Sequence, residues 1–219
     1  MQETSELYEI RFSKDERQLK ERVWKPLCEE FFQKFVASDD TVLDIACGYG
    51  EFTRFIHAGS KVAIDLNTRS AASLPAGVQF HLCSADSMAP VNTSSIDVAF
   101  ASNFFEHLPS KDSMDKVLKE IFRVLKPDGR LIMMQPNIKY CAESYWDFYD
   151  HHLPLSHLSA AEGLQLNGFK LERVIPRFVP FSTKSAYPKS ELLVRLYLKM
   201  PIFWPLFGKQ FVIVARKEV

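Results

Sequence analysis

The chain has few cysteines, and none of them are paired by spacing. Four in 219 residues, at positions 28, 47, 83 and 141, make no C-x-x-C motif. That argues against a zinc site and against a disulfide framework, and reduced thiols in the cytoplasm are expected. No uninterrupted apolar run reaches the ~18 residues that a membrane-spanning helix needs. The charged opening MQETSELYEIRFSKDERQLK reads as neither a signal peptide nor an anchor. Charge of one sign is also missing, since 27 Lys/Arg balance 27 Asp/Glu. A global basic field for nucleic acid is therefore excluded. The balance is uneven along the chain: residues 170–219 hold ten Lys/Arg against Glu172, Glu191 and Glu218.

What is present centres on residues 41–54, TVLDIACGYGEFTR. Residues 41–45 are apolar and β-branched around one acid, which suits a strand buried on both faces. Gly48 and Gly50 then permit a sharp turn, and a helix can open at Glu51. Strand, glycine turn and helix N-terminus form a nucleotide cradle, because backbone N–H groups point into it. The spacing rejects two common cradles. Thr53 stands where a G-x-G-x-x-G fingerprint needs its third glycine, and nothing supplies the lysine of a P-loop. An acid at the strand end and a short lysine-free loop suit a cofactor with a ribose and an amino-acid tail.

The stretch DIACGYG resembles motif I of the class I S-adenosylmethionine (SAM) methyltransferases, with Ala46 where many members carry a glycine. IFRVLKPDGRLIMMQPN, at 121–137, resembles a second block of the small-molecule members. The resemblance implies a Rossmann-like α/β fold with helices on both faces. Its seven-stranded, mostly parallel sheet would have the order 3-2-1-4-5-7-6, with strand 7 antiparallel. It also implies one domain over 1–219: an N-terminal helical lid (1–40), a SAM-binding core (41–137) and an acceptor-side region (138–219). In the core, strands are expected at 61–66, 78–84, 96–102 and 131–135, with a helix at 111–125. Lys126-Pro127-Asp128-Gly129-Arg130 is expected to stop that helix and turn the chain.

Asp65 lies 21 residues after Asp44, about one βαβ step, where a carboxylate can accept from both ribose hydroxyls. By resemblance Asp86 reaches the adenine amino group and Met88 packs on the ring. The expected cofactor site is Asp44, Ala46, Gly48, Gly50, Asp65, Leu66, Asp86, Ser87, Met88 and Asn103. S-adenosylhomocysteine is the implied product.

SAM brings an electrophilic methyl group, so the protein must align the acceptor and, for a hydroxyl, remove a proton. Histidine suits that task near neutral pH. The candidates are His107 after strand four, with Glu106 orienting it, and the pair His151-His152 in the aromatic run YCAESYWDFYDHHLPLSH; His157 is a further candidate. The spacing of these histidines with Asp147 or Asp150 gives no metal-ligand pattern, and no metal is expected. A helix capped by Ser156 or Ser159 should run to Asn167, followed by strands at 169–175 and 210–216.

Between those strands, an insertion at 176–209 contains SELLVRLYLKMPIFWPLFGK. Its segment 192–207 is basic and apolar, open to three readings: peripheral contact with the inner face of a membrane, a homodimer interface, or an intramolecular lid. The C-terminal half has a looser resemblance to bacterial methyltransferases of surface-glycan assembly. That implies O-methylation of a sugar hydroxyl on a nucleotide- or lipid-linked glycan, with a histidine as general base. A lipid or quinone-like hydroxyl is the alternative acceptor, and a non-catalytic SAM-binding module is the reading outside enzymes. Nucleic-acid bases are not expected acceptors, because NFFE stands after strand four where a [DNS]-P-P-[YFW] element would lie.

Overall fold

A computed structural model describes residues 14–180 and 190–218. The parts of the expected lid and insertion at 1–13 and 181–189 lie outside the described residues. The strands are β1 (Thr41–Ile45), β2 (Ser60–Asp65), β3 (Gln79–Leu82), β4 (Ile96–Ser102), β5 (Leu125–Pro136), β6 (Phe169–Ile175) and β7 (Gln210–Lys217). They form one sheet in the order β3-β2-β1-β4-β5-β7-β6. The first five strands pair in parallel, and β7 runs antiparallel to both β5 and β6. That is the expected topology. It brings the carboxyl ends of β1–β5 and the start of β7 to one edge, where an open α/β sheet receives its ligands.

The helices are α1 (Lys14–Pro26), α2 (Glu51–Phe55), α3 (Lys111–Val124), α4 (Ile138–Tyr145), α5 (His157–Leu166), α6 (Glu191–Lys199) and α7 (Trp204–Phe207). Side-chain alternation along each strand sends residues to two separate cores. One face carries Leu43, Ile45, Ile64, Ala99, Met133 and Ile213 under Met114, Leu118 and Ile121 of α3 and Leu164 of α5. The other carries Val42, Val98, Phe100, Ile132 and Val212 under Phe31, Phe32, Phe52 and the insertion's Leu198 and Trp204. The N-terminal segment and the insertion thus share one covering layer.

Local chemistry explains most boundaries. Pro26 ends the regular part of the first helix, and a wide turn (Leu27–Phe31) and a 3-10 turn (Phe32–Phe35) complete it. Ser156 and Ser159 both serve at the start of α5, each side chain bonded to the other residue's backbone N–H in a reciprocal cap.

Residues 126–130 depart from expectation. They do not separate the helix from the strand. Leu125 already pairs with Ile96, and Arg130 resumes pairing with Val98, so the intervening residues bulge out within β5. The bulge is held by Lys126 Nζ, 2.7 and 2.8 Å from the two Asp97 carboxylate oxygens. Asp97 also accepts from the Thr41 N–H at 2.8 Å, which ties the bulge to the start of β1.

Candidate functional site

Three alternate turn positions after β1 have left-handed backbone: Ala46 (φ 53), Gly48 (φ 54) and Gly50 (φ 75). A non-glycine residue costs roughly 1 kcal/mol or more in that conformation, so Ala46 is strained where a glycine would not be. At Gly50 a Cβ would meet Leu74 Cδ2 at 2.5 Å, so what excludes a side chain there is the chain itself and not a ligand.

The two acids of this region occupy different environments. Asp65, at the end of β2, is half-buried and accepts from the Gly48 N–H at 2.8 Å and the Asn67 N–H at 2.8 Å. Burial raises its pKa, and those backbone donors oppose the rise. Asp44 is 4% exposed and turns beneath α2, where Thr53 donates its hydroxyl to the carboxylate at 2.5 Å. Burial lifts its pKa to about 7, against the pull of Thr53. The residue that breaks the dinucleotide fingerprint is therefore the one that clamps Asp44.

The β3 end needs one correction. Met88 is fully buried in the α3-side core, and its N–H donates to Glu120 at 2.8 Å, so its side chain cannot lie on an adenine ring. Asp86 and Ser87 are exposed. The apolar surface beside Asp65 comes instead from Leu66 and Leu82, both more than half exposed, and Leu82 pairs directly with Asp65.

Beyond β4, Asn103 takes a left-handed conformation (φ 48) that lets its N–H reach the Met134 carbonyl at 3.0 Å. Its side-chain oxygen accepts from Gln210 Nε2 at 3.0 Å, while Gln135 accepts from the Phe104 N–H at 3.0 Å. These buried amides fasten the 103–107 loop to β5 and β7. Sequence reading passed over them, although a Gln that ends LIMMQ or opens QFVIVA is a polar group in an apolar run.

The loop delivers a compact titratable cluster. Glu106 is 3% exposed, and among the described residues its Oε2 has no hydrogen-bond partner. Burial raises its pKa to about 7, with His107 pulling the other way. The Glu106 carbonyl accepts from the N–H groups of His152 and Leu153 at 2.8 and 3.0 Å, which docks the 150–155 segment onto this loop. His107 Nδ1 lies 2.9 Å from the Asp150 carbonyl and 3.3 Å from its carboxylate. The His107 and His151 rings are 5.2 Å apart, and His151 packs against Phe148 and Tyr145. Tyr145 is buried, donates to the Leu153 carbonyl at 2.7 Å, and holds this wall together.

His151 and His152 do not act as a pair. Extended backbone alternates sides, so His151, Leu153 and Leu155 point inward while His152 is exposed. His157 is also separate. It stacks on Tyr140 and bonds Asn137 at 2.9 Å, and burial beside Lys139 lowers its pKa.

Residues 43–133 match the methyltransferase domain family. The chain carries a SAM-dependent methyltransferase domain over these residues. A demethylmenaquinone methyltransferase of Lactobacillus johnsonii is 28% identical to it, with 65% of this chain and 73% of that protein covered. Among solved structures, a SAM-dependent methyltransferase from Archaeoglobus fulgidus superposes with a TM-score of 0.66 at 19% identity, over 90% of this chain and 94% of the other. A geranyl diphosphate C-methyltransferase from Streptomyces coelicolor, solved with Mg2+, geranyl diphosphate and S-adenosylhomocysteine, gives 0.61 at 14% over 86% and 77%. Both structures are similar in fold. The methyltransferase uses SAM and yields S-adenosylhomocysteine, and among its described residues no helix is long and apolar enough to cross a membrane.

Proposed function

We propose that this methyltransferase transfers its methyl group to a hydroxyl oxygen of a small, lipid-linked acceptor held against the Glu106–His107–His151 cluster. The observation that carries the reading is the contact between His107 and Asp150 beside a buried carboxyl, at the sheet edge where the methyl donor would lie. A tautomer with its proton on Nδ1 faces Asp150 and leaves Nε2 able to accept the hydroxyl proton.

The residues at the ends of β1–β4 fit SAM. On this reading Asp65 would meet the ribose hydroxyls, Leu66 and Leu82 the faces of adenine, Asp86 its amino group, and the 46–50 loop with Asn103 the amino-acid tail. When bound, SAM would supply an electrophilic methyl group on a sulfonium leaving group, so that a carbon–oxygen bond could form at the acceptor as the carbon–sulfur bond breaks and its electron pair stays on sulfur. His107 takes the hydroxyl proton, Asp150 orients the ring, and Tyr145 and Phe148 keep the wall dry.

The acceptor's lipid is inferred from segment 192–207. Leu192, Leu193, Leu196, Ile202, Phe203 and Leu206 are exposed on it, an apolar face suited to a bilayer surface. A sugar hydroxyl on a lipid-linked glycan fits the histidine base. The similarity to a demethylmenaquinone methyltransferase favours a second acceptor, a quinone-like hydroxyl.

Calorimetric titration with SAM and S-adenosylhomocysteine tests the foundation. Asp65→Ala is expected to weaken both by about 10–100-fold, the worth of hydrogen bonds to a charged group. His107→Asn is expected to bind both normally while losing at least about 100-fold in turnover on the acceptor that wild type methylates. Undiminished turnover in His107→Asn removes this residue as the base.

A further inference from the structure

The cluster that the sequence spacing did not reveal has a second chemical capacity. Glu106 and His107 come from the loop after β4, and His151 comes from a segment more than forty residues later. One ligand-capable atom from each lies within 4.8 Å of the other two. A carboxylate oxygen and two imidazole nitrogens are the donor set that suits first-row divalent cations. We propose that Glu106, His107 and His151 bind a single divalent cation of the zinc, cobalt or manganese class, and that this ion takes the acceptor hydroxyl as a further ligand.

Independent observations point to a ligand here. Glu106 Oε2 is buried without a hydrogen-bond partner among the described residues, although unpaired carboxylate oxygens are costly inside proteins. A cation supplies the missing counter-charge. The Asp150 carbonyl and carboxylate beside His107 Nδ1 form the outer-shell contact that fixes the tautomer of a ligating imidazole and raises its basicity. Phe148 and Tyr145 pack against the His151 ring, which limits its rotation. Ligand atoms on one tetrahedral zinc-sized ion are roughly 3.3 Å apart, given bonds of about 2.0 Å. The cluster therefore closes by up to about 1.5 Å on binding.

The chemical role rests on the acceptor-side reading given above. A hydroxyl bound to the cation is acidified, so its proton passes to solvent water and His107 acts as a ligand instead of as the base. Bond formation to the methyl carbon is otherwise unchanged.

The test uses the full chain stripped with chelator and titrated with Co2+ alone, read by visible absorption and by calorimetry. The expected result is one Co2+ per chain with the absorption of low-coordinate, nitrogen-ligated cobalt. Affinity should fall by about 100-fold or more in His151→Ala and Glu106→Gln, since even outer-shell partners are worth 10–100-fold. It should be retained in His152→Ala, whose side chain is exposed. Absence of saturable binding, a water-like octahedral spectrum in wild type, or equal affinity in both ligand variants overturns the proposal. The wild-type spectrum decides the matter even where a variant fails to fold. SAM titration on the same samples separates the two readings: intact SAM binding without a metal leaves His107 as the base, whereas loss of SAM binding in folded protein sinks the proposed function itself.

Discussion

Asp44 and Asp65 both end strands of the same sheet, and a sequence gives no reason to treat them differently. The structure does. Asp65 remains half-buried over the loop, while Asp44 is sealed beneath Thr53 with its pKa lifted to about 7. A carboxyl with a raised folded pKa favours the folded state while protonated. Its contribution is fully present below the unfolded value near 3.8, declines as pH rises, and is gone above about 7. Asp44→Asn keeps an acceptor for the Thr53 hydroxyl and removes the titration. Wild-type stability relative to this variant is expected to fall by up to about 4 kcal/mol between pH 4 and pH 8, the worth of a three-unit shift. Denaturant unfolding of both proteins at matched pH values measures the difference. Parallel curves would show that Asp44 is ionised and solvated in the folded protein. The same scale shows where sequence reading stops. DIACGYG and the 21-residue step to Asp65 identify the acids and the turn, but not that Met88 points into the core or that His151 and His152 face opposite ways. Those facts depend on which side of an extended segment meets the sheet, and a residue's type does not set that parity.

Elements were more legible than residues wherever pattern and packing agree. The boundaries of β1 and β4 follow directly from apolar runs, because strands buried in a sheet need continuous apolar faces. The 126–130 segment was misread because its Pro-Asp-Gly chemistry is that of a turn, yet Asp97 on the neighbouring strand captures Lys126 and folds the turn into β5 as a bulge. The insertion was legible as an apolar segment but not in its division of labour. Its inner side is core: Trp204 is 6% exposed, packs on Phe178 and Phe31, and donates its indole N–H to the Tyr197 carbonyl at 3.0 Å. Its charges are also committed, since Arg195 pairs with Glu29, Glu30 and Glu191. Packing should outweigh those pairs. Trp204→Ala is expected to cost about 3–5 kcal/mol, as large-to-small core changes do, which lowers Tm by roughly 10 °C in a chain of this size. Arg195→Ala, which breaks ion pairs that water can screen, should cost no more than about 1 kcal/mol. Thermal unfolding of the two variants ranks the effects, and a larger loss in Arg195→Ala would mean that charge and not burial anchors this layer.

At the scale of the whole molecule, the basic excess of residues 170–219 suggests electrostatic attraction to an anionic surface, but the fold spends much of that charge internally. Arg195 is held by three carboxylates, Arg216 faces Asp128 and Glu172, and Lys170 pairs with Glu218. What remains at the surface around 192–207 is mainly apolar; Lys199 within it faces Glu30 at 4.0 Å, and Lys209 lies at its margin. Adsorption to a bilayer, on the reading proposed above, should then depend on buried apolar area and respond weakly to salt, because screening acts on charges and not on hydrophobic transfer. The expected outcome is flotation with neutral phosphatidylcholine vesicles that changes little between low and high salt. Replacing Leu192, Leu196 and Leu206 together by Ser should reduce it by about 10-fold or more. Even partial burial of three leucines is worth a few kcal/mol, and these side chains are exposed enough that the fold should tolerate the change. Sedimentation of the same samples without vesicles reads the competing occupant. A dimer that the triple variant dissociates, with no flotation of wild type, would assign this face to a second copy of the chain and remove the lipid from the proposed acceptor.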